Sequence, residues 1–145
     1  MRKFLLTVFT VVCIAASTMA QEVSQSKLWL GLSSDITSQP ISEVTLLPSL
    51  LYFPIRSVAV GGTGFYWDDG QDQYKGVELK VRVYATTNTF VSGGIVTDFD
   101  TNGYLVEAGY TSFIGGRFYI EPSARYFTID DTNRLSLAVG VGIRL

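Results

Sequence analysis

The carboxyl-terminal end of the chain alternates between two kinds of residue. Every second position holds a large aliphatic side chain, namely Leu135, Leu137, Val139, Val141, Ile143 and Leu145. The positions between them hold smaller or charged residues, namely Arg134, Ser136, Ala138, Gly140, Gly142 and Arg144. A helix would mix these two sets around its circumference, whereas a strand separates them onto opposite faces. This segment is therefore predicted to be a strand with one apolar face.

The same alternation recurs upstream and predicts eight strands in all. It is strong in residues 77–85, 104–113 and 117–127, and weaker in residues 27–37, 43–53, 57–67 and 89–99. Each segment has roughly ten residues, the length that a tilted strand needs to cross a bilayer. Pro48 and Pro122 fall inside predicted strands, where proline removes a ladder hydrogen bond, so a local bulge is expected at each.

The predicted connections alternate in length. Residues 54–56, 86–88 and 114–116 form short turns, whereas residues 38–42, 68–75, 100–103 and 128–133 form mostly longer and more polar loops. Short turns on one rim and longer loops on the other are typical of outer-membrane barrels. The predicted fold is therefore all-β, an eight-stranded antiparallel up-and-down transmembrane β-barrel formed by residues 27–145.

The amino-terminal residues have the pattern of a cleaved secretory signal. A basic start, an apolar run and small residues around Met19 predict that residues 1–20 are removed, which leaves residues 21–26 as a short segment before the barrel. Cys13 is the only cysteine and lies inside this signal, with Val12 before it where a lipoprotein signal needs a small residue. The mature protein is thus expected to be exported without lipidation or disulfides.

The side chains on the polar face decide which face is inside. That face carries mostly small residues, which suit the crowded interior of an eight-stranded barrel. Its few large polar residues have both signs, and because buried charges must pair, they predict a charge network across the lumen. The predicted network consists of Glu78, Lys80, Arg82, Asp98, Glu107, Glu121, Arg125 and Arg144.

Aromatic residues cluster near the strand ends, which predicts two girdles at the membrane interfaces. The girdle on the long-loop side is predicted to contain Tyr66, Trp67, Phe99, Tyr104, Tyr126 and Phe127. The girdle on the short-turn side is predicted to contain Tyr52, Phe53, Phe90, Phe113 and Phe118.

Three stretches resemble the outer membrane protein β-barrel domain family. Residues 47–53 (LPSLLYF) followed by residues 58–66 (VAVGGTGFY) resemble a hairpin of that family, as do residues 107–110 with 118–123. Residues 137–145 (LAVGVGIRL) resemble its closing strand, although Leu145 stands where such barrels usually end in Phe or Trp. The resemblance implies a small integral outer-membrane barrel of a Gram-negative cell, without a defined activity.

The composition argues against enzymatic chemistry. The chain contains no histidine, which excludes Ser-His and Cys-His hydrolases and His-ligated metal centres. Glu107 and Glu121 could act as an acid and a base, but a structural ion-pair role is the favoured interpretation. The acidic stretches 68–72 and 130–131 are interpreted as solvated turns rather than a metal site. No cofactor and no catalytic residue are predicted.

Three functions remain open from the sequence. The favoured one is a monomeric barrel with a structural or surface-interaction role, which contacts outer-membrane lipid and lipopolysaccharide and is inserted by the barrel-assembly machinery. The alternatives are a narrow pore for small solutes and a soluble periplasmic lipocalin-like lipid carrier with the faces reversed. The slightly acidic balance, with a net charge of -2, gives no basic patch for nucleic acid.

Overall fold

The computed structural model describes residues 27–37, 46–68, 73–97, 100–129 and 132–145. These residues form nine strands: β1 Leu28–Asp35, β2 Leu47–Ile55, β3 Val58–Asp68, β4 Gln73–Tyr84, β5 Thr89–Thr97, β6 Asn102–Tyr110, β7 Ser112–Ile114, β8 Phe118–Ile129 and β9 Thr132–Arg144. In the described ranges, no helix is long and apolar enough to span a membrane.

The strands close into an antiparallel β-barrel. They pair in the order β6-β5-β4-β3-β2-β1-β9-β8, and a further pairing between β6 and β8 joins the two ends of this sheet. The short strand β7 pairs with β8 in the register that β6 already has, since Gly109 faces Ser123 and Ser112 faces Ile120. Strands β6 and β7 therefore act as one barrel strand. The predicted closed barrel of eight antiparallel strands is confirmed.

The prediction of a bulge at Pro48 and at Pro122 is wrong. Pro122 lies opposite Val139 in an unbroken register with β9. On its other side, β8 faces the gap between β6 and β7 at Thr111, so the missing N–H of Pro122 falls where that ladder is already interrupted. Pro48 faces Leu32 in a regular register, and the ladder between β2 and β3 begins one residue later. The irregularity in β2 occurs between Tyr52 and Ile55, a span that includes another proline, Pro54.

Four strands, β3, β4, β8 and β9, extend further at the rim with the predicted longer loops than the sequence analysis predicted. We keep the name short-turn rim for the end with the β2–β3, β4–β5 and β7–β8 turns, and long-loop rim for the opposite end. On the long-loop rim, four residues (69–72) separate β3 from β4, and two (130–131) separate β8 from β9. The predicted difference in loop length therefore holds mainly for residues 36–46, between β1 and β2.

The alternation in sequence corresponds to the two faces of the barrel wall. In β9, Leu135 faces outward with 72% of its surface exposed, whereas the next residue, Ser136, faces the lumen with 1% exposed. Strand β8 alternates in the same way along its whole length, between exposed and buried residues. The predicted outward apolar face and inward face of small and charged residues are both present.

Small residues in the lumen make room for large ones on facing strands. At Gly142, an added Cβ atom would overlap the ring and hydroxyl of Tyr119 and the carbonyl oxygen of Leu30. At Gly140, two residues away on the same face, the nearest atom to such a Cβ would be the Cβ of Glu121 at 3.6 Å, which is ordinary contact.

Substitution of these two glycines therefore tests the packing of the lumen. We expect Gly142→Ala to lower the free energy of unfolding by about 1–3 kcal/mol, because overpacking forces neighbours to shift. The matched variant Gly140→Ala should change it by less than about 0.5 kcal/mol. Urea titration of the refolded barrel measures both values, and equal losses in the two variants would contradict the packing described.

Candidate functional site

The lumen is the candidate site, and it is filled in three layers. Near the short-turn rim, an aromatic layer consists of Trp29, Phe53, Tyr84, Phe90 and Tyr119. Near the long-loop rim, an apolar layer consists of Val96, Leu105, Phe127 and Ile129. Between them, an ion layer consists of Glu78, Lys80, Arg82, Glu107, Glu121 and Arg125.

Three strands supply the ion layer. Alternate residues of β4 point inward, which places Glu78, Lys80 and Arg82 one above another along the lumen. Strand β6 contributes Glu107, and the register between β6 and β8 places this residue directly opposite Arg125. All six side chains of the ion layer are buried.

Glu107 lies at the centre of the ion layer. Its Oε2 accepts a hydrogen bond from Nζ of Lys80 at 2.9 Å, and its Oε1 accepts one from Nε of Arg125 at 3.1 Å. Ser123 donates to the same Oε1 at 2.9 Å. Nη2 of Arg82 lies 3.5 Å from Oε2. This carboxylate therefore contacts all three cations of the layer.

Glu121 forms a second centre with Arg82, closer to the aromatic layer. Nη1 of Arg82 lies 2.8 Å from each carboxylate oxygen of Glu121, and the hydroxyl of Thr111 donates to Oε1 at 2.6 Å. The guanidinium carbon of Arg82 is 3.7 Å from the ring centroid of Phe90. This cation–π contact joins the ion layer to the aromatic layer.

The charges of the ion layer balance. Glu78 completes the set, with Oε1 at 3.4 Å from Nη1 of Arg125 and Oε2 at 3.7 Å from Nζ of Lys80. Three carboxylates thus face three cations, so the layer carries no net charge. Because a buried charge without a partner is costly, each member depends on the others.

Two residues predicted for the network are not part of the ion layer as described. Arg144 lies near the short-turn rim, where its guanidinium carbon is 4.3 Å from the ring centroid of Phe113 and its Nη2 donates to the carbonyl oxygen of Gly116. The prediction is wrong for Arg144, because its position near the end of β9 places it away from the middle of the lumen. Asp98 lies outside the described residues.

The girdle prediction is wrong for the aromatic residues that face the lumen. Phe53, Phe90 and Phe127 are at most 8% exposed and belong to the inner layers, and Phe113 is half-buried with its ring centroid 5.5 Å from that of Trp29. The alternation itself contains the signal: adjacent residues such as Tyr126 and Phe127 cannot share one face of a strand.

The other predicted girdle residues fall into two groups. Four of them face outward and are exposed, namely Tyr52, Tyr104, Phe118 and Tyr126. Tyr110, which the sequence interpretation missed, faces outward with 48% exposed. Phe99 and the side chains of Tyr66 and Trp67 lie outside the described residues.

Trp29 is one of several lumen residues that the sequence analysis did not assign, together with Tyr84 and Tyr119. It is fully buried, and its ring centroid lies 4.6 Å from that of Phe53 and 5.1 Å from that of Tyr119. Its place in the inward-facing series with Gly31 and Ser33 was readable from the alternation. The rings around it fill the cross-section of the barrel near the short-turn rim.

One small pocket lies beside the ion layer. A pocket of about 20 Å³ lies between Ser49, Thr63, Arg82, Tyr119 and other lumen residues. A single water molecule needs roughly 10–15 Å³ of such volume. Both carboxylates are held by buried cations, which favours the structural ion-pair role of Glu107 and Glu121 over the acid–base interpretation. In the described part of the chain, no group of three or more His, Cys, Asp or Glu side chains could hold a metal.

Comparison with known proteins identifies a similar fold. No family model and no curated protein matches the chain. The crystal structure of the N-terminal β-barrel domain of Pseudomonas aeruginosa OprF matches with a TM-score of 0.61 at 13% sequence identity, over 81% of this chain and 96% of that one. At this identity, the likeness establishes a shared barrel fold.

Removal of the central carboxylate tests the ion layer. We expect Glu107→Ala to lower the free energy of unfolding by about 3–5 kcal/mol, because it leaves buried cations without their shared partner. Arg56→Ala, which removes an exposed charge between β2 and β3, is the control and should cost less than about 0.5 kcal/mol. Urea titration of the refolded variants measures both, and equal midpoints would contradict the described network.

Proposed function

We propose that this protein is an integral outer-membrane barrel of a Gram-negative cell, exported by the signal in residues 1–20, with a structural or surface-interaction role and no enzymatic activity. In this proposal the mature protein is a monomer, is inserted by the barrel-assembly machinery, and contacts outer-membrane lipid and lipopolysaccharide. The observation that carries the proposal is the polarity of the barrel wall.

The wall is apolar outside and ionic inside. Outward-facing aliphatic side chains are exposed, with exposed fractions of 54% for Val106, 52% for Leu79 and 49% for Leu137. The lumen, by contrast, holds the six charged side chains of the ion layer. A water-soluble barrel has the opposite arrangement, with its apolar face inward. An apolar outer band around a polar interior is the arrangement that suits a bilayer.

A charge introduced on the outer wall distinguishes a membrane barrel from a soluble one. We expect Val106→Arg, in the middle of β6, to destabilise the barrel in lipid bilayers by about 2–4 kcal/mol. The control is Ile55→Arg at the end of β2, also an exposed aliphatic position, which should cost about 0–1 kcal/mol near the interface. Folding into phospholipid vesicles under urea titration measures the difference.

A soluble barrel would give the opposite result. Both arginines would then face water and cost little, and the wild-type protein would be extracted as a monomer without detergent. Equal stability of both variants in aqueous solution, without insertion into the vesicles, would overturn the membrane assignment and favour the lipid-carrier alternative. That alternative also requires a cavity lined by apolar groups, whereas the middle of the described lumen contains paired charges.

The narrow-pore alternative is tested by conductance. The three filled layers and the pocket of about 20 Å³ support a lumen that is closed to solutes. We expect the purified barrel to give no channel steps in a planar bilayer, although it inserts as judged by heat-modifiable gel mobility. Reproducible unitary conductance from the inserted protein would replace the structural role with the pore.

A further inference from the structure

The outer wall contains an apolar groove on the side formed by β1 to β5. The groove has a volume of about 890 Å³. Its walls are the exposed aliphatic side chains Leu30, Leu50, Val60, Leu79, Val81 and Ile95. Its floor includes Gly62, Gly64 and Gly93, three outward-facing positions without a side chain. The groove lies on the outer face of the wall, and its lining also includes Lys80, whose side chain belongs to the ion layer.

Packing within the barrel does not require glycine at two of these floor positions. An added Cβ atom at Gly93 would meet only the carbonyl oxygen of Leu105 at 4.0 Å, and one at Gly64 would meet nothing closer than 3.6 Å. Both distances are ordinary van der Waals contacts. The missing side chains at Gly64 and Gly93 therefore shape the outer surface rather than relieve a clash inside the barrel.

A cationic residue lies beyond one end of the groove. Lys75 precedes Val77 by two residues on β4, so the alternation places it on the outer face in line with Val77, Leu79 and Val81. It is exposed, and it lies at the end of the groove nearest the long-loop rim. Thr97, the outward residue of β5 opposite Val77, lies at the same end. Toward the short-turn rim the β4 wall of the groove ends on Val81.

The distance from Lys75 to the far end of the groove at Val81 corresponds to one leaflet of a bilayer. Six residues separate Lys75 from Val81, which is about 20 Å along a strand. At the usual strand tilt of about 40°, this distance spans about 15 Å of depth, or half of a hydrocarbon core of about 30 Å. A cation at the rim and an apolar groove one leaflet deep match a lipid with an anionic headgroup and an extended acyl chain.

We propose that this groove binds one acyl chain of a phosphorylated glycolipid, the class to which lipopolysaccharide belongs, with a phosphate near Lys75. The inference rests on the proposed outer-membrane location, because the long-loop rim then meets the outer leaflet. A flexible acyl chain fits a groove that is one side chain deep, whereas a second barrel would need a protruding ridge to fill it. Phosphate attraction to Lys75 orients the lipid, and contacts with the groove walls hold the chain.

The experiment measures binding of purified lipid A to the full-length mature barrel in detergent by native mass spectrometry. We expect one lipid A per wild-type barrel. Gly93→Leu should weaken binding about tenfold, because the new side chain occupies the groove and removes roughly ten favourable atom contacts. Lys75→Gln should weaken it about threefold. With monophosphoryl lipid A, the effect of Lys75→Gln should be smaller.

The matched control is Ala124→Leu, which adds the same bulk to an exposed outward position on β8, away from the groove. It should leave binding unchanged. If Gly93→Leu fails to fold, Gly93→Ala serves instead, because its Cβ has open space. Equal effects of Gly93→Leu and Ala124→Leu, or no retained lipid A, would overturn the groove assignment.

Two further outcomes are distinguishable. A wild-type dimer that Gly93→Leu dissociates would assign the groove to a second copy of the chain and overturn the lipid proposal. Heat-modifiable folding of the same samples reports the membrane barrel independently. A barrel that folds but binds no lipid A therefore refutes the groove inference alone, whereas a protein that needs no detergent refutes the proposed function.

Discussion

Closure of the barrel between β6 and β8 is the constraint on which the rest of the structure depends. This pairing joins strands whose facing residues include Glu107 and Arg125, and it removes the free edges that the sheet would otherwise expose. Closure also brings β8 beside β6, so Arg82 on β4 reaches Glu121 on β8, while Lys80 reaches Glu107 on β6 across β5. The pairing of β6 with β8 therefore completes both the backbone ladder and the ion layer.

The ion layer and the two flanking layers explain why the interior can be polar without being open. Charged groups in a low-dielectric interior persist only when they are paired, and here three carboxylates meet three cations. The aromatic layer lies next to them on the short-turn side, with Trp29 at its centre, and the apolar layer lies toward the long-loop rim. Exchange of such a pair for apolar residues can leave stability unchanged, whereas removal of one partner leaves a buried charge unpaired.

The shape of the outer wall is not determined by packing in the lumen. Lumen glycines such as Gly142 are required by close neighbours, in this case Tyr119 and Leu30, whereas a Cβ at Gly93 on the outer wall would make only an ordinary van der Waals contact. Glycine therefore has a different structural role on each face of the wall. On the inside it permits packing, and on the outside it creates a groove that ends at Lys75. Together with the apolar walls, this difference supports the proposed location of the barrel in a lipid bilayer.

The sequence by itself determined the strands, their two faces and all six members of the ion layer, because alternation with a period of two is a local property of the chain. It even contained the information that Phe53 and Phe127 must face inward beside Tyr52 and Tyr126, although their place near strand ends suggested girdles. Only the tertiary structure decided which carboxylate meets which cation, that Arg144 lies near Phe113 instead of in the ion layer, and that Trp29 is the centre of the aromatic layer. These partners lie on strands far apart in sequence, and their heights in the lumen follow from strand register and barrel closure, which no local pattern specifies.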